Sequence, residues 1–204
     1  MATARAVQRV RGASTRYVTQ IPEPLVARLA FADTRVAGLW LVIRVFVGWQ
    51  WLTAGIEKVQ NPAWVGSGAG TALHGFAVGA IVQAHGQYPA VQGWYAGFLR
   101  GAVLPNAGLF SYLVAFGELL VGAALILGLF TGIAAFFGAF MNLNYMLAGA
   151  ASTNPTLILL EIFLILAWRV GGWWGLDRVV LPRLGTPWYR RQPSALEPVA
   201  VEGR

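Results

Sequence analysis

Three ionisable side chains fall inside long apolar stretches: Arg44, Glu118 and Glu161. A charge in hydrocarbon costs about 2.5–3.5 kcal/mol on an insertion scale, so such groups usually face a protein interior and mark ligand or proton sites. Arg44 recurs at helical spacing with Gly48, Trp51, Gly55 and Lys58, and Glu118 with Ser111, Ala115 and Gly122. Counting about 1.5 Å per residue from the ends of their stretches puts Arg44 and Glu118 nearly level. An Arg44–Glu118 pair is expected, either locking two helices together or taking part in binding or proton transfer. Glu161 is then left without a basic partner, near the level of Gln50 and Asn144. A lone carboxyl in a low dielectric can exchange a proton, or it can simply share a hydrogen bond with Asn142 or Asn144.

Other chemistry is sparser. Glu57 and Lys58 end the first apolar stretch; Lys58 either holds an anion or snorkels to the interface. Trp94, Tyr95 and Phe98 wall a flat ring or belong to an aromatic belt. The only histidines, His74 and His85, share a segment, residues 59–108, that has no Asp or Glu, so no metal site is expected. Cysteine is absent, which removes thiolate chemistry from this chain.

The elements that must position these groups follow from composition. Of 204 residues 57% are hydrophobic and 11% charged, too few charges for the shell of an ordinary soluble enzyme. A span needs about 17–25 mainly apolar residues. Four stretches qualify, at about 36–56, 109–130, 131–151 and 156–171, joined by a tight hairpin at Leu127–Gly132 and a turn at Asn154-Pro155. The fold class expected is an all-α membrane protein, a four-transmembrane-helix bundle. Between the first two spans, Thr71–Ala84 and Val91–Leu104 are apolar but only 14 residues each, the length of re-entrant or interfacial helices. They form an expected cap over residues 59–108.

The net charge of +7 sits at the ends of the chain, which points to a membrane surface and not to nucleic acid. Arg5, Arg9, Arg11, Arg16, Arg28 and Arg35 precede the first span, whereas the 59–108 loop carries only Arg100. By the positive-inside rule both termini are cytoplasmic and the cap lies outside. An Arg-rich start also fits a mitochondrial transit sequence, but topology signalling is the simpler reading. Residues 1–35 then form a basic arm with a short interfacial helix at 25–36, residues 36–171 the membrane domain, and residues 172–204 a cytoplasmic tail.

The chain resembles the DoxX/DoxD family of four-helix membrane proteins, and the DoxD branch in particular. The resemblance is carried by Leu41-Val42-Ile43-Arg44 with Gly48, and by Ala54-Gly55-Ile56-Glu57-Lys58. Further along it is carried by Trp94-Tyr95 with Phe98-Leu99, Val103-Leu104-Pro105-Asn106, Gly117-Glu118-Leu119 with Gly122, and Gly128-Leu129-Phe130-Thr131. Gly175-Leu176-Asp177-Arg178 is similar to the family's closing motif. The resemblance covers about residues 36–182. It implies a membrane subunit of a thiosulfate:quinone oxidoreductase that works with at least one other protein subunit.

Together these readings give an expected inner-membrane protein of a bacterial or archaeal cell. Its catalytic candidates are Glu161, Glu118 and Arg44. Trp51, Lys58, Trp94, Tyr95, Phe98, Asn142 and Asn144 line the quinone or substrate site. Quinone is an exchangeable substrate, and no tightly bound cofactor is expected. The competing classes are a non-catalytic anchor of a larger respiratory or photosynthetic complex and a pathway for protons or small solutes. A quinone-sized apolar cavity beside Arg44, Glu118 or Glu161 separates the first class from the others.

Overall fold

The computed structural model describes residues 23–185, and within these every regular element is helical. Most of the basic arm and the tail beyond residue 185 lie outside the described residues. Two helices are long and apolar enough, by length and composition, to cross a membrane. The first is α2, Ala37–Val59, which with the 3-10 turn Thr34–Val36 runs 26 residues. The second is a continuous 35-residue helix, Gly93–Leu127.

That second helix departs from expectation. Residues 91–104 were to form a separate piece of the cap, yet α4 (Gly93–Phe98) runs through a π turn (Leu99–Val103) and a 3-10 turn (Leu104–Asn106) into α5 (Ala107–Leu127). Pro105 lacks an N–H and its ring crowds the preceding turn. The wide π turn and the tight 3-10 turn absorb that misfit without ending the helix. Only α3, Thr71–Val82, stands as a separate helix in the 59–108 connection.

α6 spans Thr131–Leu147 and α7 spans Asn154–Leu166, with Pro155 in the first turn where its missing N–H costs nothing. The expected single helix over 156–171 is interrupted at Ala167 and resumes as the short α8, Trp168–Gly171. The step lays Trp168 against Gly132, where an added Cβ would come within 2.7 Å of the Trp168 Cβ. α1, Leu25–Ala32, is tied to α2 by the Trp40 indole N–H, which donates to the Ala30 carbonyl at 2.8 Å. A last helix, α9, covers Asp177–Arg183.

The antiparallel register of α2 and α5 is fixed by glycine. A Cβ on Gly48 would meet the Ile126 backbone at 3.0 Å, one on Gly55 the Leu119 nitrogen at 2.5 Å, and one on Gly122 the Leu52 Cα at 2.6 Å. Small residues that let backbones approach this closely make helix–helix contacts in membranes. Around this pair lies the main core, with Trp40, Val47, Trp51, Val121, Leu125, Leu157 and Leu164 buried among the helices. A second apolar cluster joins α3 to the α4 end of the long helix through Leu73, Ala77, Ile81, Tyr95, Leu99 and Val103.

Candidate functional site

The register places the buried charges. Gly55 abuts the Glu118–Leu119 backbone, so Glu118 faces the last turns of α2. Arg44 lies eleven residues earlier than Gly55, roughly 16 Å along the axis at about 1.5 Å per residue. The expected Arg44–Glu118 pair is therefore not formed. The depth count assumed that the second helix starts near Leu109; its true start at Gly93 and the glycine contacts set a different level.

Glu118 takes Lys58 instead. The ammonium lies 2.7 Å from Oε2. The carboxylate is 1% exposed and Lys58 19%, so the pair is a buried anion reached through a partly exposed cation. Lys58 is thus tied to Glu118 and does not lie alone at the interface, and the Trp64 ring sits 5.2 Å from its ammonium. The other carboxylate oxygen, Oε1, accepts the Tyr145 hydroxyl at 2.5 Å. No motif in the sequence singled out Tyr145; its neighbours Asn142 and Asn144 were the only signal.

Arg44 serves the other end of the bundle. Its guanidinium donates to the Leu125 carbonyl at 2.7 Å, to Ile126 at 3.2 Å and to Trp174 at 3.3 Å. The first two are end carbonyls of α5, where a cation also meets the negative end of the helix dipole. Beside it Gly128, at φ 66°, turns the chain, and Asp177 accepts the N–H groups of Phe130 at 2.5 Å and Thr131 at 2.9 Å. That carboxylate caps α6 and seats the Gly175–Asp177 segment on the α5–α6 turn.

Glu161 is fully buried and receives two donors, the Trp51 indole N–H at 2.5 Å and the Asn142 amide at 2.6 Å. Gly138 leaves room for it, since a Cβ there would come within 2.5 Å of Oε1. As expected it has neutral partners, and of the two asparagines offered it takes Asn142. Asn144 donates to the Phe140 carbonyl and accepts the Tyr95 hydroxyl at 3.1 Å.

Two cavities flank this arrangement. A polar one of about 320 Å³ is walled by Gln50, Trp51, Lys58, Glu118, Asn142, Tyr145 and the α6–α7 turn around Thr153 and Asn154. Asn142 keeps its Oδ1, buried, without a hydrogen-bond partner. The other cavity, about 620 Å³, runs between α5 and α6. Its walls are hydrocarbon and aromatic, including Phe76, Phe98, Val121, Leu129, Phe137 and Met141, with polar groups only from Tyr95, Asn144 and Tyr145. Trp51 stacks on Tyr145 with ring centroids 6.5 Å apart, and the Phe76 edge meets Tyr145 at 6.1 Å.

The candidates thus divide. Glu118, Lys58, Trp51 and Asn142 gather at the polar cavity, and Tyr95, Phe98 and Asn144 along the apolar one. Glu161 borders neither cavity but holds Trp51 and Asn142, which wall the polar one. Trp94 is 65% exposed and lines neither, touching the site only through the edge of Tyr95. Arg44 belongs to the opposite end.

Compared with known proteins, residues 39–151 match the sequence model of one family, DoxX. That stretch holds α2 to the end of α6, and with it both cavities except for the α7 side of the polar one. No curated protein and no solved structure matches the chain.

Proposed function

This chain belongs to the DoxX family, and we propose that it is the membrane subunit of a quinone-linked oxidoreductase, with thiosulfate as the electron donor. In this reading residues 36–171 form the membrane domain. α2, the α4–α5 helix, α6 and α7–α8 cross the bilayer, with the α3 region over the outer face and both termini in the cytoplasm. A separate subunit oxidises thiosulfate at the outer face and passes the electrons to quinone held by this chain.

One observation carries the proposal: the apolar cavity is of ligand size and has hydrogen-bonding groups along its wall; contrary to expectation none of Arg44, Glu118 and Glu161 lines it, and Glu118 meets it only through Tyr145. Its volume falls within the roughly 300–1,000 Å³ of small-molecule sites, and its mix of aromatic wall and few polar groups is that of such sites. A quinone has the matching form, an apolar ring and tail with two carbonyl acceptors. Leu120, Ile133, Phe137 and Phe140 border the cavity and are each more than half exposed, so a ligand dissolved in lipid reaches it from the side. Arg44 is assigned to helix-end capping, and Glu161 to holding Trp51 and Asn142.

The test is purification of the chain with its partners from native membranes in mild detergent. Extraction is expected to release quinone, and thiosulfate is expected to drive reduction of an added short-tailed benzoquinone. Preparations that carry no quinone and bind none of the added benzoquinone would overturn the reading.

A further inference from the structure

We infer that Tyr145 is the catalytic proton carrier of this site, passing protons between the Lys58–Glu118 pair and a quinone head group in the apolar cavity. The inference deepens the quinone reading and rests on it. Among the described residues Tyr145 is the one that borders both cavities. Its hydroxyl bonds Glu118 on the polar side, while its ring is held between Trp51 and Phe76. Its single O–H serves either Glu118 or a quinone carbonyl, and it is free to turn to the quinone when a protonated Glu118 donates to the phenol oxygen instead. The other hydroxyl on the apolar cavity, Tyr95, bonds Asn144, whose amide and carbonyl cannot resupply a proton as a carboxyl group can.

Glu118 has no place on the apolar cavity wall and reaches it only through Tyr145. It meets the polar cavity together with Lys58, whose partial exposure gives the pair its contact with water. The groups form a line: ammonium, carboxylate, phenol, then the apolar cavity. Hydrogen-bonded groups in line exchange protons without moving apart.

Quinone takes two electrons from the reduced-sulfur donor and two protons through this line. For each proton, Lys58 N–H gives its proton to Glu118 Oε2, the carboxyl group rotates to present that O–H to the Tyr145 oxygen, and the Tyr145 O–H, released from Glu118, turns to the quinone oxygen. The Tyr145 O–H bond breaks as the new O–H bond forms on the reduced quinone oxygen. Tyr145 takes the Glu118 proton, Glu118 returns to carboxylate, and Lys58 is reprotonated by hydronium from the bulk solvent, leaving water. Two rounds give the quinol. Quinol oxidation runs the same line backwards.

Tyr145→Phe keeps the ring and removes the proton. The experiment uses the full chain purified with its partners and loaded with a short-tailed benzoquinone. An electrode reduces the bound quinone, so the result does not depend on the natural donor. Wild type and Tyr145→Phe are expected to bind the benzoquinone within about threefold of each other. Quinol formation should slow at least tenfold in the variant, at the low end of the roughly 10²–10⁴-fold typical of acid–base groups. Heavy water should slow the wild type. Glu118→Gln is expected to show the same slowing.

A second measurement needs no variant. In wild-type protein carrying ring-deuterated tyrosine, infrared difference spectra between quinone and quinol states should contain a label-sensitive phenol band. Unchanged rates in an assembled Tyr145→Phe protein, or no label-sensitive band, would sink the relay and leave the quinone reading standing. A wild-type protein that binds no benzoquinone removes both.

Discussion

Two N–H donors, the Trp51 indole and the Asn142 amide, converge on the carboxylate of Glu161, one to each oxygen. Glu161→Gln replaces one of those acceptors with an NH₂ group, so one buried donor loses its partner at a cost of about 1–3 kcal/mol. The expected outcome is a lower yield of assembled protein, with quinone reduction per folded molecule within about threefold of wild type. Size-exclusion recovery and turnover of a short-tailed benzoquinone measure the two separately. A variant that assembles fully but turns over at least tenfold more slowly would give Glu161 a direct part in proton transfer. That Arg44, Glu118 and Glu161 would be buried was legible in the sequence, and each is 1% exposed or less. Which partner each takes was not. Tyr145 was missed because a phenol in an apolar helix reads as an interfacial aromatic; only the fold shows that it stands between a carboxylate and a cavity.

At the scale of elements, the partners depend on how far α2 and α5 slide past each other, and three close glycine contacts set that. The four apolar stretches themselves were read from composition alone, to within a few residues for α2 and α6. Register was not, because it is the sum of many small contacts, none of which marks the sequence. The break between the stretches 91–104 and 109–130 is where the expectation and the structure part. The two are expected as separate elements, yet the chain passes through Pro105 within one 35-residue helix. Gly122→Ala should test the register, since the new methyl meets the backbone of Leu52. Overpacking of this kind costs about 1–3 kcal/mol. Gly101→Ala, where the methyl meets nothing within 4 Å, is the matched control and should leave stability unchanged or slightly raised. Thermal unfolding in detergent compares the two; an equal midpoint for both would remove glycine packing as the determinant of register.

For the whole molecule, the polar ends divide cleanly. Arg44, Asp177 and the closing segment gather at one end of the bundle, and Lys58, Glu118, Tyr145 and the α6–α7 turn toward the other. The proposed topology puts the first end in the cytoplasm. Single cysteines at Ser14 and Gln87 test it, since the chain has none of its own. An impermeant thiol reagent should label Gln87→Cys in intact cells and Ser14→Cys only after lysis. Equal labelling in intact cells would reverse or abolish that orientation. The polar cavity, walled by Lys58 and the α6–α7 turn, then draws its water from outside. In the proposed reading thiosulfate gives up its electrons on that same side. If so, electrons and protons enter the quinone together, and no net charge crosses the bilayer during turnover. Such a reaction is electroneutral: in sealed vesicles its rate should stay the same when an imposed potassium gradient with an ionophore polarises the membrane. On the proposed reading the energy of the donor is stored only in the quinol, to be converted into a voltage by whichever enzyme oxidises it next.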